Sequence, residues 1–411
     1  MFNALKNITL GVPEILFGIG VIKEIGDRVK SIGASTVVIV TDEGVAAAGI
    51  LSRVLGIFEK SGIACTVFDQ VEKEPSLENV ELAVKAASAA SCQAIIGLGG
   101  GSSIDVSKMV AVLLKHGGNL RDYLGIDKVP GRGVPTILVP TTAGTGSEVS
   151  KFAIFDNRQA KTKLGAVSSH LIADLALVDP ELTISMPPSV TASTGADAFI
   201  HAVEGYVSTK ATPLSDLLAL EAVRIIYENL PAAFADGQNM PARYQMAYGS
   251  MLGGIVLNLA SASASHALAY PIGSEYHVPH GVGCMLTFLE VMEYFAMADV
   301  PKFTRMAQAM GVKTESMSPR QAAQQAVANL EVRQLITNAK RERKAKALFE
   351  TGDCPQCGEH QLNSYRISET FYLCECQECG IYGAGATHDE ALAKTADSVG
   401  EGLDWRDGSL Y

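Results

Sequence analysis

The alternation of short, strongly apolar runs with amphipathic helical stretches over the first ~185 residues constrains this chain most. STVVIVTD (35–42), AIIGLGGG (94–101) and PTILVPTT (135–142) read as buried strands, with helical patterns such as ELAVKAASAA between them. Such alternation predicts a mainly parallel sheet with helices on both faces. From about residue 188 the strand signal ends. MPPSVTASTGADAFIHAVEGYVS and PLSDLLALEAVRIIYENLPAAF have helical period, and MAYGSMLGGIVLNLASASASHALAYPIG is a small-residue run suited to close helix packing. Met186-Pro187-Pro188 marks the boundary. The fold expected is an α/β dinucleotide-binding domain (1–187), an all-α metal-binding domain (188–337) and a basic, Cys-rich tail (338–411). A chain of 411 residues has room for these parts.

A net charge of -11 argues against a general affinity for nucleic acid or anionic lipid. We find no charged-then-apolar leader and no uninterrupted apolar run of about 18 residues. No membrane partner is expected, and the expected location is the cytoplasm. Of eight cysteines, Cys354, Cys357, Cys374, Cys376 and Cys379 crowd the tail. Cys65, Cys92 and Cys284 read as reduced core or near-site thiols, and no disulfide framework is implied.

Two loops follow strands. GGGSSIDVSK (99–108) opens a helix, where glycines let the backbone approach a pyrophosphate and the helix N-terminus supplies N–H donors. It differs from G-x-G-x-x-G, so no ordinary Rossmann fingerprint is read. PTTAGTGSEVS (140–150) offers Thr141, Thr142, Thr145 and Ser147 as hydroxyl donors. Two loops at strand C-ends define a crevice of the kind in which open α/β sheets bind ligands. Asp42, ending the first strand, either accepts from ribose hydroxyls and repels a 2′-phosphate, or caps the following helix. Lys163 is either a phosphate or ribose contact or an exposed lysine.

Asp197 and His201 are four residues apart, on one face of a predicted helix. His266 lies in a helix-like run and His280 follows Pro279 at a predicted turn. One carboxylate and three imidazoles suit a borderline divalent ion, Fe(II) or Zn(II), with a further position open to a substrate oxygen. The alternative is four unrelated polar residues.

Together GGGSSIDVSK, PTTAGTGSEVS, STGADAFIHAVEGYVS and HALAYPIGSEYHVPHG resemble the iron-containing (group III) alcohol dehydrogenase family, over residues 1 to about 330. The resemblance implies a dehydroquinate synthase-like architecture with the site in the cleft between the α/β and helical domains. It implies Asp197, His201, His266 and His280 as ligands of Fe(II) or Zn(II). It carries NAD contacts onto Asp42, Gly99, Gly100, Gly101, Ser102, Asp105, Thr141, Thr142, Phe152, Lys163 and Leu182. The activity implied is hydride transfer between a small alcohol or aldehyde and NAD(H), in a homo-oligomer, expected as a dimer. Two departures stand out. Several members have a second histidine four residues after the third ligand, where this chain has Tyr270; proton release then falls to water, the ribose hydroxyls or His277, which otherwise is a surface residue. The family's helical domain usually continues further than it does here.

In the tail, Cys354-x2-Cys357 and Cys376-x2-Cys379 have zinc-ribbon spacing, four thiolates for one structural Zn(II), with Cys374 spare. QLNSYRISETFYLCE reads as strands, and NAKRERKAKALFE (338–350) as a basic helix. The tail is similar to small phage-type zinc-ribbon proteins of the restriction-alleviation kind, Glu390 and Trp405 included. The basic stretch Lys340–Lys346 reads as a solvated helix face, with a nucleic-acid contact as the alternative, and no other part of the chain is expected to bind nucleic acid. The expected origin is a fusion, and the competing readings of the whole are an inactive dehydrogenase-like carrier of an interaction module, or a sugar-phosphate cyclase relative.

Overall fold

The computed structural model describes residues 7–276 and 278–331, the tail strands 348–352, 362–368, 371–376 and 382–385, and residue 389. The chain divides into two compact units, residues 1–336 and 337–411.

In the first unit the strands are β1 (Glu14–Phe17), β2 (Thr36–Val40), β3 (Ala64–Phe68), β4 (Ala94–Gly99), β5 (Gly125–Ile126), β6 (Thr136–Pro140), β7 (Phe152–Asn157), β8 (Thr162–Val167) and β9 (Leu175–Val178). The helices of this half are α1 (Ile25–Ser31), α2 (Glu43–Ala47), α3 (Ile50–Ser61), α4 (Leu77–Ala90) and α5 (Gly101–His116). Six strands form one sheet in the order β1-β9-β6-β4-β2-β3, and every pairing in it is parallel. β4 and β6 are buried at every position, as a sheet covered on both faces requires. Alternate side chains feed two cores. Val38, Ile95 and Val110 belong to one, and Val37, Ile96 and Phe58 to the other.

β3 pairs on one side of β2 and β4 on the other, so the chain reverses direction across the sheet at β2. The crevice at such a reversal, beyond the strand C-ends, is where open α/β sheets take ligands. A second sheet, β5-β8-β7, is built on a β7–β8 hairpin. It is absent from the sequence reading, because its strands mix buried and half-exposed positions instead of forming apolar runs.

After β9 the described part of this unit is helical: α6 (Pro188–Val207), α7 (Pro213–Ala235), α8 (Met240–Ala260), α9 (Ala264–Tyr276), α10 (His280–Ala298), α11 (Val300–Ala309) and α12 (Pro319–Asn329). Their shared core includes Phe199, Ile226, Val256, Phe288 and Phe303. The small-residue run MAYGSMLGGIVLNLASASASHALAYPIG is divided between two helices, α8 and α9. It breaks after Ala260, where Ser261 takes φ 66°, and α9 leaves at 107° to α8. His280, expected at a turn, opens α10 behind Pro279. α10 is long and apolar enough to cross a membrane by length and composition, although Glu290 and Glu293 interrupt it. This qualifies the sequence reading that no such stretch exists. Its outer side chains Leu286, Tyr294 and Met297 are exposed.

In the second unit β10 (Leu348–Gly352), β11 (Leu362–Ser368), β12 (Phe371–Cys376) and β13 (Tyr382–Gly385) form an antiparallel meander. The strands expected in QLNSYRISETFYLCE are present. Leu348–Glu350, read as the end of a basic helix, is instead the start of β10. Cys354, Cys357, Cys379, Lys340–Lys346, Glu390 and Trp405 lie outside the described residues, as does His277.

Candidate metal centre and nucleotide crevice

Three helices converge on one carboxylate oxygen. Asp197 and His201 stand one turn apart on α6, His266 on the first turn of α9, and His280 at the start of α10. The Nε2 atoms of His266, His280 and His201 lie 3.5, 3.7 and 3.8 Å from Asp197 Oδ1. Donors at about 2.1 Å from a shared ion, at tetrahedral angles, sit about 3.4 Å apart, so this is the spacing of ligands around one ion. His201 and His266 stack at 4.5 Å and His266 meets His280 edge-on at 5.3 Å, so imidazoles wall the space.

The buried polar atoms fit the same reading. Asp197 Oδ1 and His266 Nε2 are buried without a hydrogen-bond partner of normal geometry. Leaving both unsatisfied is costly unless a cation completes them. Burial holds His280 down to about 3 and lowers His201 as well, so both imidazoles stay neutral with lone pairs available. Burial raises the Asp197 carboxyl, but the surrounding histidines outweigh it and hold the group ionised.

Glu204 orients His266. It follows His201 by three residues on α6, fully buried. One oxygen lies 2.7 Å from His266 Nδ1. The two oxygens also accept from the N–H groups of Ser263 and Ser265, the latter on the first turn of α9. Burial raises the Glu204 carboxyl, yet these donors bring it down to about 2. With Nδ1 turned to Glu204, Nε2 is the His266 nitrogen that faces Asp197. Glu204 was not singled out from sequence. Its signal is the spacing Asp197, His201, Glu204, which is one continuous helix face.

Gly281 makes the approach possible. A β-carbon there would sit 2.1 Å from the Ser193 carbonyl of α6, so α10 could not come close enough to set His280 beside Asp197. Tyr270, one turn after His266, stacks against His280 at 6.1 Å, and burial raises its phenol. Cys284 is buried one turn beyond His280, with Sγ 3.8 Å from His280 Nε2. Asp197, His266, His280 and Cys284 each offer a donor atom, all within 4.8 Å of one another.

The nucleotide candidates gather at the reversal point. Asp42 follows β2, caps α2 by accepting from Val45 N–H at 3.1 Å, and accepts from Ser103 Oγ at 3.0 Å. The cap and the strand-end acid are thus the same residue. Gly99 closes β4 at φ 155°, beside Asp42 and Ser103, where a side chain would clash. Gly100 caps the 16-residue helix α5, which Gly101 opens, and Thr142 lies against Gly100. Ser102 donates to the Lys73 carbonyl. Thr141 N–H donates to the Gly99 carbonyl, tying the two strand-end loops together.

Other candidates are engaged within the protein. Asp105 accepts from Ser147 Oγ and from Ile154 N–H, and Thr145 Oγ1 accepts from Ser147 N–H. Lys108, fully buried, donates to Ser147 Oγ and to the carbonyls of Ser150 and Phe152. These contacts fasten the 147–152 loop to α5. Leu182 is buried in the same core cluster as Leu177 and Val139. Lys163, on β8, pairs with Glu74 and lies within 4 Å of the position a side chain on Gly273 of α9 would take. Ser274 of α9 donates to Asp156 of β7 at 2.9 Å. The helix that carries His266 is therefore anchored to the second sheet.

Comparison with known proteins settles the family. The description "Iron-containing alcohol dehydrogenase" matches residues 13–180, and "Fe-containing alcohol dehydrogenase family, C-terminal" matches residues 191–358. The chain belongs to the iron-containing alcohol dehydrogenase family. It is 38% identical over 331 residues to long-chain-alcohol dehydrogenase 1 of Geobacillus thermodenitrificans, covering 78% of this chain and 83% of the relative. It is 32% identical to the NAD-dependent methanol dehydrogenase of Bacillus methanolicus, covering 78% and 84%. A crystal structure of 1,3-propanediol oxidoreductase superposes with TM-score 0.78 at 34% identity, over 82% of this chain and 90% of that one. A sulfoacetaldehyde reductase from Bifidobacterium kashiwanohense in complex with NAD+ superposes with TM-score 0.72 at 32% identity, over 80% and 86%. By this membership the chain is an NAD-dependent alcohol dehydrogenase of the iron type.

Proposed function

We propose that the chain interconverts a small alcohol and its aldehyde with NAD(H), at a divalent metal held by Asp197, His201, His266 and His280. The observation that carries this reading is the ring of three imidazole Nε2 atoms around the unpartnered Asp197 Oδ1. The ion, Fe(II) or Zn(II), supplies Lewis-acid polarisation of the substrate oxygen when bound. The protein supplies position. Asp42, Gly99, Gly100, Gly101 and Ser102 line the strand-end crevice where the dinucleotide is expected, with its pyrophosphate at the α5 N-terminus and its ribose at Asp42. Thr141 and Thr142 flank it. Asp105, Thr145, Ser147, Phe152 and Leu182 act behind it, holding the loop and its core. Lys163, paired with Glu74 and close to Gly273 of α9, is the further cofactor contact that the family resemblance implies. With Tyr270 where relatives carry a second histidine, the hydroxyl proton leaves through His277, water or the ribose.

The relatives' names range over methanol, long-chain alcohols, 1,3-propanediol and sulfoacetaldehyde. A panel spanning those classes, assayed for NADH formation and consumption, tests the reading. Turnover with at least one alcohol–aldehyde pair supports it. None with any pair, in protein shown to hold metal and NAD, supports the competing inactive fusion, for which the exposed apolar side chains of α10 are the motive.

A further inference from the structure

The metal centre contains one donor more than its carboxylate and three imidazoles. His280 and Cys284 stand four residues apart at the start of α10, one turn apart on one face, just as Asp197 and His201 do on α6. Cys284 Sγ lies 3.8 Å from His280 Nε2, and the donor atoms of Asp197, His266, His280 and Cys284 are all within 4.8 Å of each other. Cys284 has no solvent exposure and belongs to the core of the helical domain, where its sulfur comes within reach of the imidazoles. Two further atoms point into the same space, Asp197 Oδ1 and His266 Nε2, both on side chains about 5% exposed and both without a hydrogen-bond partner.

We propose that Cys284 is a fifth protein donor of this centre, its thiolate coordinating the ion held by Asp197, His266 and His280 and its proton passing to solvent on binding. The inference rests on the metal centre proposed above. Its consequence is metal choice. A thiolate is a soft ligand and favours Zn(II) over Fe(II) at a site whose other donors are borderline or hard.

Cadmium NMR of the full-length protein tests this, because each bound ion gives its own resonance and the number of thiolates on the ion governs its position. Any site formed by the tail cysteines resonates separately, as a multi-thiolate ion. We expect a one-thiolate resonance in the wild type that moves to the nitrogen/oxygen range in Cys284→Ser and in Cys284→Ala. Zinc affinity should fall about tenfold or more in both variants, a loss of the size seen when a metal site is impaired. A wild-type resonance already in the nitrogen/oxygen range leaves the centre standing and overturns the role of Cys284. The absence of any resonance besides a multi-thiolate one overturns both. The wild-type spectrum decides between these outcomes even if neither variant folds.

Discussion

Glu204 Oε2 lies 2.7 Å from His266 Nδ1, and the same carboxylate accepts the main-chain N–H groups of Ser263 and Ser265. One buried side chain thus orients His266 and holds the start of the helix that carries it. Glu204→Gln keeps the shape but turns one acceptor oxygen into a donor facing N–H groups. Metal affinity should fall 10–100-fold, the usual cost of losing such a partner. Competition with a metal-binding dye checks this, and unchanged affinity would show that His266 is oriented by something else.

Gly281→Ala tests the close helix approach. Its β-carbon would meet the Ser193 carbonyl at 2.1 Å, contact with a backbone atom that cannot swing aside. α10 must move away from α6 and take His280 with it. Overpacking of this kind costs roughly 1–3 kcal/mol. We expect a lower melting temperature together with a greater loss of metal affinity than at a control, Gly56→Ala, where a side chain meets open space. Equal behaviour of the two variants would count against the packing argument.

Asp42 carries both a cap and a charge. Asp42→Asn retains the side-chain oxygen that accepts from Val45 N–H, so stability should change little. It removes the negative charge that would face a 2′-phosphate. The ratio of kcat/KM for NADP to that for NAD should rise by roughly tenfold or more, since like-charge contact costs several kcal/mol. An unchanged ratio would place the ribose away from Asp42.

The buried cluster beside the crevice predicts a pH-dependent stability. Burial pushes the Glu148 carboxyl from 4.5 up to about 7, and burial brings the Lys108 ammonium from 10.5 down to about 8. Between pH 4.5 and 7 the folded state binds the Glu148 proton while the unfolded chain has lost it, so the contribution of this group to stability falls as pH rises through that window. Asp105, raised by burial, acts in the same direction. Between pH 8 and 10.5 the unfolded chain holds the Lys108 proton that the folded state has released, so the lysine contributes a rise with pH there. Glu148→Gln should remove most of the lower slope and stabilise the protein at pH 7 and above by up to about 3 kcal/mol. Urea melts across this range measure it. His280 and His201, lowered by burial, contribute a rise over part of the same window, so the difference between wild type and Glu148→Gln is the decisive quantity, and a difference that does not grow from pH 4.5 to 7 would refute the assignment.

The sequence was legible where burial is uniform or spacing is helical. β2, β4 and β6 show as apolar runs because both faces of the parallel sheet are covered. Asp197 and His201 show because four residues make one turn. The β7–β8 hairpin does not show, since its half-exposed strands lack both patterns. Glu204 and Lys108 look like ordinary surface charges until the packing is seen. In sequence each is a polar residue on a helix, and only the fold shows them fully buried. His266 and His280 join Asp197 in the sequence by donor type, with four unrelated polar residues as the alternative, and it is the tertiary packing of α9 and α10 on α6 that brings their side chains beside it.

The central claim is that a metal at the imidazole cluster makes this chain a working NAD-dependent alcohol dehydrogenase. The most direct measurement is NADH formation from an alcohol by full-length protein as purified, after chelation, and after return of Fe(II) or Zn(II), with Asp197→Ala in parallel. The account predicts turnover abolished by chelation, restored by one of the two ions, and not restored in Asp197→Ala. Turnover that survives complete metal removal, or that Asp197→Ala recovers to wild-type level, would contradict it.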